Sequence, residues 1–520
     1  MSIIRFFDRG WRSNPSGSAY LSDDQSWTFT EAGEMSYRIA HALRAEGLDG
    51  DAKVAVLAPN DPTAWICVLG IWRAGLTWIP ANPALPPDDN AALLDAFDAD
   101  VVFYHPKLGE VVTVLRDLLP RIRLWVSIAG TTVRDADPTL TQFVAGYEAR
   151  TGEWTVDPGD VAMIGPTGGT TGRPKGVMNT HRGLSTMLAH LMLAAHYEEN
   201  EAVVNLAAAP MTHTAGLFSL AATARGGTVA IIDRAEPRAV LEAIDTHSVT
   251  DLFLPPTVIY RLLDTLEHTS ANTSSLRYLV YGAAPMSTEK LRRAIERLGP
   301  VTMELYGQME APAAISFLRP NEHLSAGTAT RDKRIASCGR PYPLVEVVIR
   351  DEGGTTLPVG ATGEICVRGD LVMKGYYKNP EKTAEVLVDG WLHTGDIGHL
   401  DNEGYLYLTD RKRDVIISGG FNVYPSEVEQ AVWAHPAVRD CAVIGAPHPD
   451  WGEAVTAVVE LHDGHSVTPQ EIIAFSKNRL GSIRSPKSVE IVDSLPRSVN
   501  GKVLKTELRQ QYRTSETVRI

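Results

Sequence analysis

Over the first 150 residues, short apolar runs alternate with stretches whose apolar positions recur every three or four residues. "AHALRAEGL" (40–48) has the helical spacing and stops beside a glycine. "KVAVLAP" (53–59) follows as a buried strand bounded by Asn60, Asp61 and Pro62. "AWICVLGIWRAG" (64–75) returns to helix, and "LTWIPANP" (76–83) reads as strand, then turn. The rhythm recurs around "TVAIID" (228–233), "VTDLFLP" (249–255) and "RYLVYGAAP" (277–285). Strands separated by helices predict a mostly parallel sheet covered on both faces, with ligands gathering beyond the carboxyl ends of the strands.

After about residue 340 the pattern changes. "VEVVIRDEGGTTLPVGATGEICVRGD" (345–370) alternates apolar and polar positions around a turn, which predicts a small antiparallel subdomain. A charged run, "DRKRD" (410–414), precedes the strand "VIISGG". Then "SEVEQAVWAHPAV", "CAVIGAP" and "VTAVVEL" describe a compact α+β unit. The expected fold is therefore α/β. An N-terminal domain (1–410) of parallel-sheet subdomains ends in a barrel-like antiparallel part (about 340–410). A smaller α+β domain (414–520) follows.

Composition narrows the function. The 520 residues are 44% apolar and 22% charged, with 49 Lys and Arg against 63 Asp and Glu, a net charge of −14. That balance speaks against a general nucleic-acid or anionic-membrane binder, though not against a local basic pocket. Cys67, Cys338, Cys366 and Cys441 lack metal or redox spacing and read as reduced, buried thiols. No apolar run is long enough to span a membrane and the first residues do not resemble a signal peptide, so a cytoplasmic protein is expected.

The densest chemical signal is "GPTGGTTGRPKG" (165–176). "DVAMIG" (160–165) before it reads as strand. "NTHRGLSTMLAHLMLAA" (179–195) after it reads as helix, capped by Asn179 or Thr180. The loop is thus expected to join a strand to a helix N-terminus. Its glycines free backbone N–H groups for an anion, Thr167, Thr170 and Thr171 add hydroxyls, and Lys175 adds a cation. Those groups suit a polyphosphate. The spacing is neither the Walker A pattern nor the dinucleotide G-x-G-x-x-G.

The loop resembles the phosphate-binding motif of the acyl-adenylate-forming superfamily, which includes acyl- and aryl-CoA ligases. Further segments match in order: "PMTHTAG" (210–216), "YGAAP" (281–285), "YGQME" (306–310), "GYYKNPEKT" (375–383), "GWLHTGDIG" (390–398), "DRKRDVIISGGFNVYPSEVE" (410–429) and "LPRSVNGKVLK" (495–505). The resemblance implies ATP-dependent activation of a carboxylic acid as acyl-AMP with release of pyrophosphate, then transfer to the thiol of coenzyme A.

It also implies roles. Thr167, Gly168, Gly169, Thr170, Thr171, Gly172 and Lys175 would cradle the phosphates. Gly282, Ala283, Ala284 and Pro285 would lie beside the adenine, with Tyr306, Gly307, Gln308 and Met309 completing the nucleotide wall. Glu310, with Thr170, would hold Mg²⁺. Asp396 and Arg411 would reach the ribose, with "GYYKNPEKT" and "GWLHTGDIG" as the ribose-side segments. Lys502 would be the cation of the adenylation step and His213 the gate between acyl pocket and thiol channel. Tyr281, Gly282 and Ala311 would join His213 in the acyl pocket. Residues 411–413 would form a hinge centred on Arg413. Gly419, Gly420 and Phe421 would face CoA after rotation of the C-terminal domain.

Three positions depart from the family pattern. Met309 replaces a threonine, Met211 and Thr212 replace bulkier residues, and Phe421 stands where an acidic residue is common. The aspartate that binds an amino-acid ammonium in related adenylation domains has no counterpart in "HTAG". An apolar or aromatic acid is therefore expected. The alternative acceptor is an amine, giving an amide; a nucleotide-binding protein without catalysis is a third reading. The expected partners are the small acid and CoA or an amine, with no nucleic acid, no membrane span, and a monomer or homodimer.

Overall fold

A computed structural model describes residues 1–149, 154–167, 174–212, 214–323, 334–498 and 502–517. Its described residues form four sheets flanked by helices.

The first sheet has seven strands in the spatial order 375–376, 175–180, 161–167, 77–81, 53–57, 101–104 and 124–127. Its central strands are parallel, as the repeated βαβ pattern predicts. Helix Pro62–Arg73 is buried along its whole length, consistent with apolar residues on every face. Pro62 opens it, and the Asp61 carboxylate accepts the Ala64 N–H at 2.9 Å. Trp65 and Trp72 from this helix meet Trp78 of the next strand edge to face, each pair 5.7 Å apart. Such pairs add about 0.5–1.5 kcal/mol each beyond their buried area.

The second sheet has nine strands. Strands 18–21, 228–231, 204–207, 251–253, 278–282 and 302–308 run parallel in that order, and antiparallel strands close both edges. Strands Tyr278–Gly282 and Thr302–Gln308 lie side by side, so "YGAAP" and "YGQME" emerge from neighbouring carboxyl ends. The third sheet, 345–411, is antiparallel throughout, as the alternating pattern predicts. The last comprises 421–423, 416–418, 452–461, 438–448 and 488–492, with helices Pro425–Trp433, Pro469–Arg484 and Lys505–Thr517 around it. All four cysteines are unpaired and buried. No helix among the described residues is long and apolar enough to cross a membrane.

One expectation fails. The glycine loop does not lead into a helix. It connects strand Val161–Thr167 to strand Lys175–Thr180 as an antiparallel hairpin, with Thr167 opposite Lys175. "KGVMNT" follows the two-residue alternation of a half-buried strand, and its β-pairing outweighs the helical continuation. Helix His181–Ala194 begins only afterwards, capped by the Thr180 hydroxyl on the Gly183 N–H at 3.0 Å. Its N-terminus is thus six residues beyond Lys175 in sequence, so the helix does not open directly from the loop.

Candidate active site

Two groups of side chains meet along the short segment 306–310. At one end, the hydroxyl of Tyr306 donates to Asp396 Oδ2 at 2.8 Å. The Asp396 Oδ1 atom lies 3.3 Å from Arg411 Nε. Sequence distance is bridged by register: Asp396 pairs with Arg411 across strands Trp391–Leu400 and Leu406–Arg411. Burial pushes the Asp396 carboxyl above the usual carboxylate range, against the opposing pull of Arg411 and the Tyr306 bond. Burial, then the Asp396 charge, also drives the Tyr306 phenol up. Gln308 Nε2 donates to the Thr394 carbonyl at 3.2 Å, tying the same two segments.

At the other end, Tyr376 donates to Glu310 Oε1 at 2.7 Å, and Lys175 Nζ stands 5.4 Å from the centre of the Tyr376 ring. The hairpin cation and the candidate metal ligand therefore share one tyrosine. "GYYKNPEKT" supplies this tyrosine: its strand Gly375–Tyr376 pairs with Lys175–Thr180. The reason is the edge of the first sheet, which the hairpin strand leaves open for pairing. Tyr376 is a site residue inside a motif that gave it no role of its own.

Lys502 reaches the first group from the last sheet's unit. Arg497 and Val503 form an isolated bridge, and Ser498 N–H donates to the Lys502 carbonyl at 2.8 Å. Lys502 keeps an accessible surface, yet its surroundings crowd the ammonium. Burial and the Arg411 charge lower its pKa, and Asp396 opposes them. The ammonium thus stands within electrostatic reach of both ribose-clamp candidates.

Met309, the departure from the family threonine, has a visible partner. A Cβ on Gly165 would fall 2.5 Å from Met309 Sδ. The thioether fills space that only glycine leaves free at the hairpin's base, and Asn179 Nδ2 holds the Met309 carbonyl at 3.2 Å. Gly165→Ala should therefore destabilise the protein by about 1–3 kcal/mol, the usual overpacking cost. The double variant with Met309→Ala should recover most of that loss in urea unfolding. Additive losses would contradict the contact.

The other expected residues are distributed as follows. Ala283 adopts a left-handed φ of 66°, a strained state for a residue with a Cβ, in the loop after strand Tyr278–Gly282. Ala284 and Pro285 continue that loop, and Ala311 is fully buried at the start of strand Ala311–Leu318. Gly307 lies against the Ala313 backbone, closer than any Cβ could. Gly419 and Gly420 turn a hairpin at φ 57° and 83°, and Phe421 beside them is 55% exposed. Arg413 Nε lies 3.9 Å from Asp414. Gly168, Gly169, Thr170, Thr171, Gly172 and His213 lie outside the described residues.

Two more side chains hold the site and were not singled out from sequence. Asn60 accepts the Met211 N–H at 2.8 Å and donates to the carbonyls of Ala209 (3.1 Å) and Ile232 (2.9 Å), fixing the turn before position 213. Glu364 accepts the Gly395 N–H at 3.0 Å and lies 3.6 Å from Lys412, so it ties the Asp396 turn to the neighbour of Arg411.

Tyr281 points into the interior. Its hydroxyl lies 3.0 Å from Glu304 Oε2 and 3.1 Å from His323 Nε2, while His323 Nδ1 sits 2.9 Å from the Arg319 carbonyl. A carbonyl only accepts, so Nδ1 carries a proton. A neutral His323 then accepts the Tyr281 proton at Nε2, and Glu304 must donate to the phenol oxygen. Burial agrees, pushing Glu304 up to about 8 and His323 down to about 4. The folded chain keeps this proton where the unfolded chain loses it. Stability therefore falls as pH rises from the ordinary glutamate range to about 8, and levels off above. Glu304→Gln keeps a neutral donor, so its unfolding midpoint should gain on the wild type between pH 5 and pH 8. A constant difference would contradict a protonated Glu304.

The AMP-binding enzyme family matches residues 7–377, and the AMP-binding enzyme C-terminal domain matches residues 427–502. A feruloyl-CoA synthase from Amycolatopsis sp is 35% identical over 504 residues, covering 96% of this chain and 97% of the relative. The medium/long-chain-fatty-acid–CoA ligase FadD8 of Mycobacterium tuberculosis is 38% identical over 501 residues, 92% of this chain and 85% of its own. Among solved structures, the amide bond synthetase McbA from Marinactinospora thermotolerans aligns with a TM-score of 0.86 at 32% identity, covering 98% of this chain and all of its own (100%). With the two groups of side chains along 306–310 and the order of the segments, these matches place the chain in the AMP-binding enzyme family.

Proposed function

We propose that this protein is an AMP-forming acid–thiol ligase. It joins an apolar or aromatic carboxylic acid to the α-phosphate of ATP, releases pyrophosphate, and passes the acyl group from acyl-AMP to the thiol of CoA. The observation that carries the reading is the convergence of Lys502, Arg411, Asp396 and Tyr306 from three distant stretches of chain, in a member of a family whose relatives ligate acids to CoA.

The chemistry explains the need for these groups. A carboxylate must approach a polyanion, so the barrier is largely electrostatic, and a positioned ammonium lowers it. Lys502 supplies that charge between acid and α-phosphate. Asp396, held by Tyr306 and Arg411, accepts the ribose hydroxyls. Lys175 and the hairpin bind the phosphate tail. Glu310 fits Mg²⁺: it is one hard oxygen donor beside a phosphate cradle. No cluster of three or more His, Cys, Asp or Glu that could cage a metal occurs among the described residues. Magnesium is commonly bound by one or two carboxylates plus phosphates, whose charge it neutralises. Residues 1–410 and 414–520 act as two units about a hinge at 411–413, the second presenting Lys502 for adenylation and Gly419–Gly420 for transfer.

A second reading keeps the adenylate and uses an amine. The McbA likeness favours it, as does Phe421, exposed where the acceptor side is expected. A panel of aliphatic and aromatic acids, scored by pyrophosphate release with CoA or with amines, separates the two. CoA-dependent AMP release supports the ligase. Release that needs an amine and ignores CoA replaces it with the amide synthetase. Silence across the panel removes both.

A further inference from the structure

Helix Thr288–Leu298 begins three residues beyond the Gly282–Pro285 loop, and its first turn carries a misplaced cation. Lys290 is the third helical residue, where the positive end of the helix disfavours an ammonium. It is also buried, at 9% exposure, and burial lowers its pKa. Ser287 caps the helix, and the Lys290 ammonium rests 4.2 Å from the centre of the Tyr260 ring. Its hydrogen-bond acceptor is in the other unit: Nζ donates to the carbonyl of Arg439.

The contact is not isolated. The Thr288 N–H, one of the free donors of the helix start, donates to Gln430 Oε1 at 3.2 Å. Gln430 Nε2 returns a bond to the Met286 carbonyl at 2.9 Å. The residue after Arg439 is the buried Asp440, which takes a 2.7 Å bond from Arg497. Arg497 also reaches Glu460 at 3.2 Å and pairs with Val503 in the turn that carries Lys502. Polar bonds, joined through the Arg439–Asp440 backbone, therefore connect Lys290 to the backbone flanking Lys502.

We infer that the first turn of helix Thr288–Leu298 is a docking site for the C-terminal unit, and that Lys290 and Gln430 are positioning residues holding Lys502 in place for acyl-adenylate formation. The inference rests on the adenylation role proposed above for Lys502. An ammonium held at a cost in desolvation and helix electrostatics is explained by what it fixes. Charged side chains of both units, Asp264 and Arg293 from one and Arg439 and Glu460 from the other, line this contact, and so polar an interface can hold an orientation and still release it.

The test separates the two half-reactions. Lys290→Met should lower kcat for acid-dependent pyrophosphate release by roughly 10- to 100-fold, the scale of small misplacements of a reacting group. The KM for ATP should stay unchanged, as should acyl transfer from added acyl-adenylate to CoA. Lys290→Arg, which keeps a donor for the carbonyl, should restore most of the rate, and Gln430→Ala should follow Lys290→Met in milder form. Wild-type kcat in Lys290→Met, or equal loss in both half-reactions, would overturn the positioning role. Spin labels at Glu289→Cys and Asp463→Cys give a readout free of chemistry. A single short distance that broadens in Lys290→Met supports docking, and an unchanged distribution refutes it. An active wild type with an indifferent Lys290→Met rejects this inference alone. An inactive wild type rejects the adenylation reading and the catalytic part of this inference with it, while the labels still decide the docking.

Discussion

Lys502→Ala should lower the rate of acid-dependent pyrophosphate release by roughly 10²–10³-fold, the usual consequence of losing one preorganised electrostatic group at a reacting centre. The KM for ATP should change little, because the ammonium is asked to meet charge that forms between acid and α-phosphate. Acyl transfer from chemically made acyl-AMP to CoA should persist, because that step needs no attack on phosphorus. The structure gives a reason for the size of the effect. Lys502 is exposed to solvent, and its ammonium lies within electrostatic reach of Arg411, which disfavours it, and of Asp396, which favours it, so the charge sits where an incoming anion meets the ribose-clamp candidates. Lys502→Arg should rescue little, since a planar fork does not replace a compact point charge. A uniform fall in both half-reactions would instead mark Lys502 as structural.

Asp396→Asn should act on a different parameter. The carboxylate accepts from Tyr306 at 2.8 Å and faces Arg411 at 3.3 Å, and in the proposed role it also accepts from the ribose. Hydrogen bonds to a charged group are worth about 1.5–3 kcal/mol. Loss of that acceptor should raise the KM for ATP by roughly 10–100-fold, with a smaller change in kcat. The substitution also leaves Arg411 without its counter-ion beside Lys502, so some of the rate should fall through repulsion on that lysine. Steady-state kinetics with varied ATP, combined with nucleotide titration, separates the two. A variant that binds ATP as the wild type does would remove Asp396 from the nucleotide site.

Much of the fold was legible because the signals were local. The 64–75 run is apolar all round and becomes a buried helix, and the alternation after residue 340 becomes an antiparallel sheet. The hairpin was misread for an equally local reason. "KGVMNT" is only six residues long, and the loop motif takes its first two residues while the helical pattern with its threonine cap takes its last two, so no strand is read between them. The cap survived the correction, because Thr180 does open the helix.

Among the candidate site residues, those carried by motifs were found, and those acting through distant partners were not. Tyr376 earns its place by joining Glu310, 66 positions away, to the hairpin lysine, and Glu364 by gripping Gly395 and Lys412. Asn60 reads in sequence as a strand boundary, but it bonds to segments about 150 and 170 residues later. No spacing rule reports such pairings. Glycine patterns likewise cannot reveal that Met309 occupies the room above Gly165, because that needs the turn after strand Thr302–Gln308 laid against strand Val161–Thr167.

The central claim is that the site carrying Lys175 and Lys502 joins a carboxylic acid to AMP. ATP–pyrophosphate exchange tests it most directly, run with an accepted acid on the wild type and Lys502→Ala side by side. The account predicts acid-dependent exchange in the wild type and its near-complete loss in the variant, with ATP still bound by both. Equal exchange in the two proteins, or none in a wild type that binds ATP and the acid, would contradict it.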